Sequence, residues 1–271
     1  MTANRGRTFT PLCISGVQVE AVAHGSGRPI LFLHPGIGLD PNARVLDLLA
    51  AGGRVVAPVH PGFGASELPR HFSTVDDLAY FYLDLLEQQG WRDTAVIGVS
   101  FGAWIAAEMA IKTTERISHL VLANAVGIKV GDRETRDIVD IWAITDQEFA
   151  ERAYFDPARG LPDYKSMPVE NVKRAARNRE ALARFAWSPY MHDPKLKARL
   201  YRIRVPTLFL WGAADRIVSE AYGRAYCAAV PGARFELIER AGHFPHVEAP
   251  EAFADRTLAF IGKVLKPKSN E

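Results

Sequence analysis

The chain has 271 residues, 48% of them hydrophobic and 24% charged, with Lys+Arg 33 against Asp+Glu 31. These proportions exclude a disordered chain and a small disulfide scaffold, and at this length one large domain or two ordinary ones can bury a sizeable core. A formal net charge of +2 gives no general electrostatic reason to bind nucleic acid or anionic lipid, and two cysteines, Cys13 and Cys227, are too few for a metal cluster.

Short aliphatic and β-branched runs recur along the chain, each followed by turn residues and a helical pattern. This is the rhythm of a largely parallel sheet wound by helices, an α/β fold. Val17 to Ala23 alternates after the Ser15-Gly16 turn, and Ile30 to Leu33 is apolar throughout, so the first pair reads as a hairpin edge. A helix over Pro41 to Ala50 leads to a buried strand at Arg54 to Pro58. The helix Thr74 to Gln89, the strand Thr94 to Val99, the helix Phe101 to Thr113 and the strand His119 to Ala123 follow. The rhythm then breaks, and residues 127–203 read as a helical insertion into a core made of residues 1–126 and 204–271. Helical patterns lie there at Asp132 to Trp142, Asp146 to Ala153 and Val169 to Ala186, with five prolines as punctuation and no convincing strand. The last of these helices carries Lys173, Arg174, Arg177, Arg179 and Arg184, which would meet an acidic substrate or, more plainly, face solvent. Strands resume at Thr207 to Trp211 and, nearer an edge, Arg234 to Ile238, with helices over Ser219 to Ala229 and Pro250 to Leu265. The Lys-rich tail from Lys266 to Glu271 is expected to fray.

Gly98-Val99-Ser100-Phe101-Gly102 falls where a strand turns into a helix, the setting that gives a GxSxG pattern meaning. Such a turn holds the serine in a strained position above the sheet edge, and its glycines remove side chains that would collide. A serine hydroxyl needs a base, and His243 follows the last strand on a loop reaching the same edge. His246, nearby, is read as structural. The base needs a carboxylate to fix its tautomer, and Asp215 stands just after the strand Thr207 to Trp211. The other common acid position, after the strand ending near Ala123, holds neutral Asn124. Two amide donors must face the developing oxyanion. One is Phe101; the other is Gly36 or Ile37 in the loop His34-Pro35-Gly36-Ile37-Gly38, because Pro35 has no NH. His34 is read as bracing this loop.

Taken together, His34-Pro35-Gly36, the loop His60-Pro61-Gly62-Phe63-Gly64-Ala65-Ser66, the elbow at Ser100, Asp215 and Gly242-His243 resemble the α/β-hydrolase fold superfamily over nearly the whole chain, as a core domain with a helical cap. Proline in the first motif departs from the family's usual His-Gly. The resemblance implies a serine hydrolase with Ser100, Asp215 and His243 as its triad. Relatives that open epoxides or displace halide place aspartate at the elbow, so acyl transfer to water leads, on a small to medium ester or lactone. Carbon-carbon hydrolases of meta-cleavage-type vinylogous diketones rank second, because they typically carry Asn before the nucleophile and Trp after the histidine, where this chain has Val99 and Phe244. A receptor-like protein using the same pocket with little turnover is the alternative of another class. Trp142 and Trp187 are candidates for the substrate wall. No metal-ligand spacing, phosphate loop or dinucleotide fingerprint occurs, so no cofactor or metal is expected. The polar N-terminus lacks a secretory apolar run and no uncharged stretch reaches the roughly 18 residues of a membrane span. The expected setting is the cytoplasm and the expected partner a small-molecule substrate, with no nucleic acid and no membrane. Oligomeric state is not readable.

Overall fold

The computed structural model describes residues 7–262. Its eight strands are β1 (Thr10–Ile14), β2 (Val17–His24), β3 (Pro29–Leu33), β4 (Arg54–Pro58), β5 (Thr94–Val99), β6 (Ile117–Ala123), β7 (Thr207–Gly212) and β8 (Arg234–Ile238). They form one sheet in the order β1-β2-β4-β3-β5-β6-β7-β8, antiparallel only where β1 meets β2 and β2 meets β4. The expected hairpin partner of β2 is therefore corrected. β2 turns back on β1 through Ser15 and Gly16, both at positive φ, and its other edge pairs with β4, which separates it from β3. The strand β1 escapes sequence inspection because Thr10–Ile14 is mostly exposed and includes Pro11, which confines it to an edge.

Helices α1 (Arg44–Leu49) and α9 (Pro250–Ile261) cover one face of the sheet, and α2 (Val75–Gln88), α3 (Phe101–Lys112) and α7 (Glu220–Ala228) the other. Every residue of α3 from Phe101 to Ile111 is buried, which explains its lack of an amphipathic stripe. Thr74 and Asp77 close a capping box that starts α2. The last residues of the expected final helix, 263–265, and the tail Lys266 to Glu271 lie outside the described residues.

Between β6 and β7 the chain forms α4 (Asp146–Ala153), α5 (Val169–Ala186) and α6 (Leu196–Arg199), and α8 (Pro245–Glu248) follows β8. The helix expected over Asp132 to Trp142 is absent. Side chains there bond the backbone in competition with a helix: Asp132 accepts from the amides of Glu134 and Thr135, and Asp137 from those of Val130 and Gly131. The segment instead runs beside the loop after β7, where Ile138 bridges to Val218 and Val139 NH donates to Ile217.

The basic residues of α5 turn out to hold this segment down. Arg174 makes two bonds to Glu20, of 2.7 and 2.9 Å, and the pair holds the Glu20 carboxyl below its ordinary range against the opposing effect of burial. Arg177 donates to the carbonyls of Gly62 and Ser66, and Arg184 to that of Phe72. Only part of the expected solvated face is free, because three of its cations reach back to the core.

Candidate active site

Each residue of the site sits at the carboxyl end of a parallel strand, where loops from neighbouring strands converge. Ser100 follows β5 at φ 52°, ψ −112°. That backbone is tolerated because the turn is cramped on both sides by glycine. A Cβ on Gly98 would come within 2.4 Å of the Gly102 carbonyl oxygen, and one on Gly102 within 2.2 Å of that of Leu33. The loops carrying the other two residues touch backbone to backbone, since a Cβ on Gly212 would lie 1.9 Å from the Gly242 oxygen.

In this setting His243 Nε2 is 2.8 Å from Ser100 Oγ and its Nδ1 is 2.8 Å from Asp215 Oδ2. All three residues are at least nine-tenths buried. The Asp215 carboxylate is saturated with donors. Oδ1 accepts from the amides of Ile217 (2.8 Å) and Val218 (3.0 Å), and Oδ2 also accepts from Asn124 Nδ2 at 2.7 Å. Asn124, at φ 44°, in turn accepts from Gly212 NH. In the sequence Asn124 reads only as a missing acid. It is instead a clamp on the acid that is present. The insertion completes the frame, because the Ala153 carbonyl accepts the His243 amide at 2.6 Å and Glu248 accepts from the amides of Gly242, Phe155 and Asp156. Such a chain lets the imidazole take a proton from Ser100 while the carboxylate stabilises the resulting charge.

Gly36, Ile37 and Phe101 line one chamber with Ser100 and His243. Among the described residues, the amides of all three donate to no backbone carbonyl. The chamber holds about 30 Å³, walled by Val126, Ile138, Ile141, Phe149, Leu182, Met191, Ile217 and Phe244. It shares Gly36, Ile37, Ile141, Phe149 and Leu182 with a wider, mostly apolar cavity of about 700 Å³ reaching Leu161, Met167 and Val172 in the insertion. Trp142 and Trp187 are corrected here, since neither lines either space. They pack edge to face with each other at 5.3 Å, and Trp187, 55% exposed, borders a separate, open pocket of about 450 Å³ with Lys129, Arg136 and Tyr190. The aromatic wall comes instead from Phe149 and from Phe244, whose ring stands edge-on to His243 at 4.9 Å.

Three buried histidines support the site. His34 and His60 stack at 3.7 Å. His34 Nδ1–H donates to the Pro35 carbonyl and Nε2 accepts from the His60 amide, so both ring nitrogens are used only by the neutral form. Burial lowers the pKa of His34 to about 4 and holds that of His60 well below the ordinary value, and the neighbouring His34 adds to the latter effect. His246 is buried among Phe32, Phe244 and Phe253 with Nδ1 unpartnered, and burial lowers its pKa to about 3. It makes no bond to Ser100 or Asp215.

Residues 30–256 match the model of the alpha/beta hydrolase family, and the chain belongs to that family. It is 30% identical to a putative non-heme bromoperoxidase, BpoC, of Mycobacterium tuberculosis, over 89% of this chain and 96% of that protein. It is 23% identical to a 2-hydroxy-6-oxo-6-(2'-aminophenyl)hexa-2,4-dienoic acid hydrolase of Metapseudomonas resinovorans, over 92% of this chain and 89% of that one. Among solved structures, a bromoperoxidase from Bacillus anthracis superposes with a TM-score of 0.73 at 21% identity, covering 94% and 100% of the two chains. A meta-cleavage product hydrolase from Pseudomonas fluorescens IP01 gives 0.75 at 18%, covering 93% and 97%. No helix among the described residues is long and apolar enough to cross a membrane.

Proposed function

We propose that the chain is a serine hydrolase that cleaves a small to medium, largely apolar carboxylic ester or lactone through an acyl-enzyme intermediate. The observation that carries this reading is the hydrogen-bonded chain from Ser100 through His243 to Asp215, opening on an apolar chamber. Ser100 Oγ attacks the ester carbonyl as His243 Nε2 takes its proton. The amide of Phe101, with that of Gly36 or Ile37, receives the oxyanion, and His243 returns the proton to the leaving alcohol. Water then repeats the attack on the acyl-serine. Residues 127–203 act as the cap, and the substrate's apolar part occupies the space beneath them. The protein works in the cytoplasm on a small molecule, without a cofactor.

Labelling by a fluorophosphonate probe tests the nucleophile. Labelling of the native protein that disappears in Ser100→Ala supports the assignment, and equal labelling of the variant ends it. A series of p-nitrophenyl esters tested beside a vinylogous diketone separates the two hydrolytic chemistries. Carbon-carbon cleavage enters because two of the related proteins carry names of that class; Val99 and Phe244 favour ester cleavage. The reading fails if the diketone is cleaved rapidly while every short and medium ester is inert. Hydrogen peroxide can attack an acyl-serine as water does, so peroxide and bromide added to the assay examine the acceptor suggested by the bromoperoxidase relative's name.

A further inference from the structure

The geometry points to Asn178, on the insertion helix α5, as a positioning residue for the oxyanion hole; this inference rests on the acyl-transfer reading given above. Asparagine is a poor choice inside a helix, where its amide competes with the backbone. Here neither end of that amide serves the helix. Nδ2 donates to the Ile37 carbonyl at 2.9 Å and Oδ1 accepts from the Gly64 amide at 2.8 Å, so one side chain, 5% exposed, spans two core loops. The amide's orientation is unambiguous, because a carbonyl only accepts and a backbone NH only donates.

The loop it grips is the one that carries the second oxyanion donor. Pro35 to Gly38 is a tight turn closed by Gly38 NH on the Pro35 carbonyl, and Ile37 at its tip is 45% exposed. Gly38, at φ +101°, is where the side chain enters: a Cβ there would lie 2.1 Å from Asn178 Nδ2. One helical turn later, Leu182 packs so closely on Gly36 that a Cβ would meet its Cδ2 at 2.6 Å. Asn178 and Leu182 thus press the turn from the same face of α5, and Phe185 on that face stands 6.4 Å from the ring of Phe101, which carries the other donor. Anchoring α5 does not require a buried amide, since Arg174, Arg177 and Arg184 already tie the helix to the core. What the amide adds is a fixed orientation of the Ile37 carbonyl, and with it of the short turn that presents the Gly36 and Ile37 amides to Ser100.

The test compares Asn178→Ala, Asn178→Asp and the anchor variant Arg177→Ala with the parent, by steady-state kinetics on p-nitrophenyl butyrate, inhibition by a trifluoromethyl ketone, melting temperature and amide hydrogen exchange of the 34–40 segment. The ketone forms a bond from Ser100 Oγ to its carbonyl carbon; the carbonyl electron pair becomes an oxyanion and the serine proton passes to His243 Nε2. In Asn178→Ala, kcat and ketone affinity should each fall about ten- to a hundredfold with KM within about threefold, and exchange of the Gly38 amide, which closes the turn on the Pro35 carbonyl, should quicken. Arg177→Ala should lower the melting temperature and leave kcat and ketone affinity within about twofold. Asn178→Asp is nearly isosteric and serves if the alanine variant does not fold. Its ionised carboxylate has no donor for Ile37 but its protonated form has, so kcat relative to the parent should recover as pH is lowered. An Asn178→Ala variant with parental kcat, ketone affinity and exchange, altered only in melting temperature, overturns the positioning role. A parent that does not bind the ketone overturns the acyl-transfer reading instead, and the inference with it.

Discussion

Asp215 illustrates how much one carboxylate is asked to do: it orients His243 and is itself held by two backbone amides and the Asn124 side chain. Replacing it by Asn keeps the shape and removes the charge that favours the required tautomer, so Asp215→Asn should lower kcat about 10⁴-fold with little change in folding. Stopped-flow and single-turnover rates, with circular dichroism as the control, check this. Asn124→Asp makes the opposite change. It replaces the amide donor 2.7 Å from Asp215 with a second carboxylate and should lower both kcat and the urea midpoint. Parental kcat in this variant would mean that the Asn124 donor is not needed to hold Asp215. At this scale Ser100, His243 and Asp215 were legible because each lies in the loop after a strand and is of a type that the triad pattern uses. Asn124 and Asn178 were not, because an amide has no motif; its meaning lies in two partners far away in sequence. Trp142 and Trp187 misled for the complementary reason, since an aromatic ring fits a core, a surface cluster or a pocket equally well.

Among elements, the strands buried on both faces were the most readable. Ile30 to Leu33 and Ala95 to Val99 are runs without a polar side chain that sit next to each other near the middle of the sheet. Exposed β1 and the non-helical stretch 132–142 were not readable, since an edge strand with proline and a chain of side-chain-to-backbone turns leave no periodicity. The helix α5 was found, and its position over the site came only from the structure. That position makes a specific expectation for Leu182, which is 5% exposed and borders both the chamber and the larger cavity. Leu182→Ala should join the two spaces and shift the preferred p-nitrophenyl ester to a longer chain, at a stability cost of about 2–3 kcal/mol. Trp187→Ala, outside both spaces, should leave chain-length preference unchanged. The kcat/KM series over acyl length compares the two directly, and a shift in the tryptophan variant alone would contradict the assignment of the wall.

For the molecule as a whole, the neutral histidines beneath the site make folding sensitive to acid. Burial lowers the pKa of His34 to about 4 and of His246 to about 3, and holds His60 well below its usual value. The unfolded chain therefore takes up protons first. Stability is complete above the unfolded value near 6.5 and declines as pH falls, by about 1.4 kcal/mol per pH unit for each such histidine, until the folded pKa is reached. Urea midpoints between pH 7.5 and 5 should show this slope. His246→Leu removes one histidine's share and the unpartnered Nδ1, so it should flatten the slope and leave Ser100 labelling intact. The sheet order also bears on how the protein is made. β7 pairs with β6, yet ~80 residues of insertion separate them in the chain. At roughly 5–20 residues per second a ribosome needs about 4–16 s to bridge that gap. Throughout that interval β6 is an uncovered apolar border and Ser100 has neither Asp215 nor His243 beside it, so the nascent chain is open to wrong association before the Ser100–His243–Asp215 chain can form.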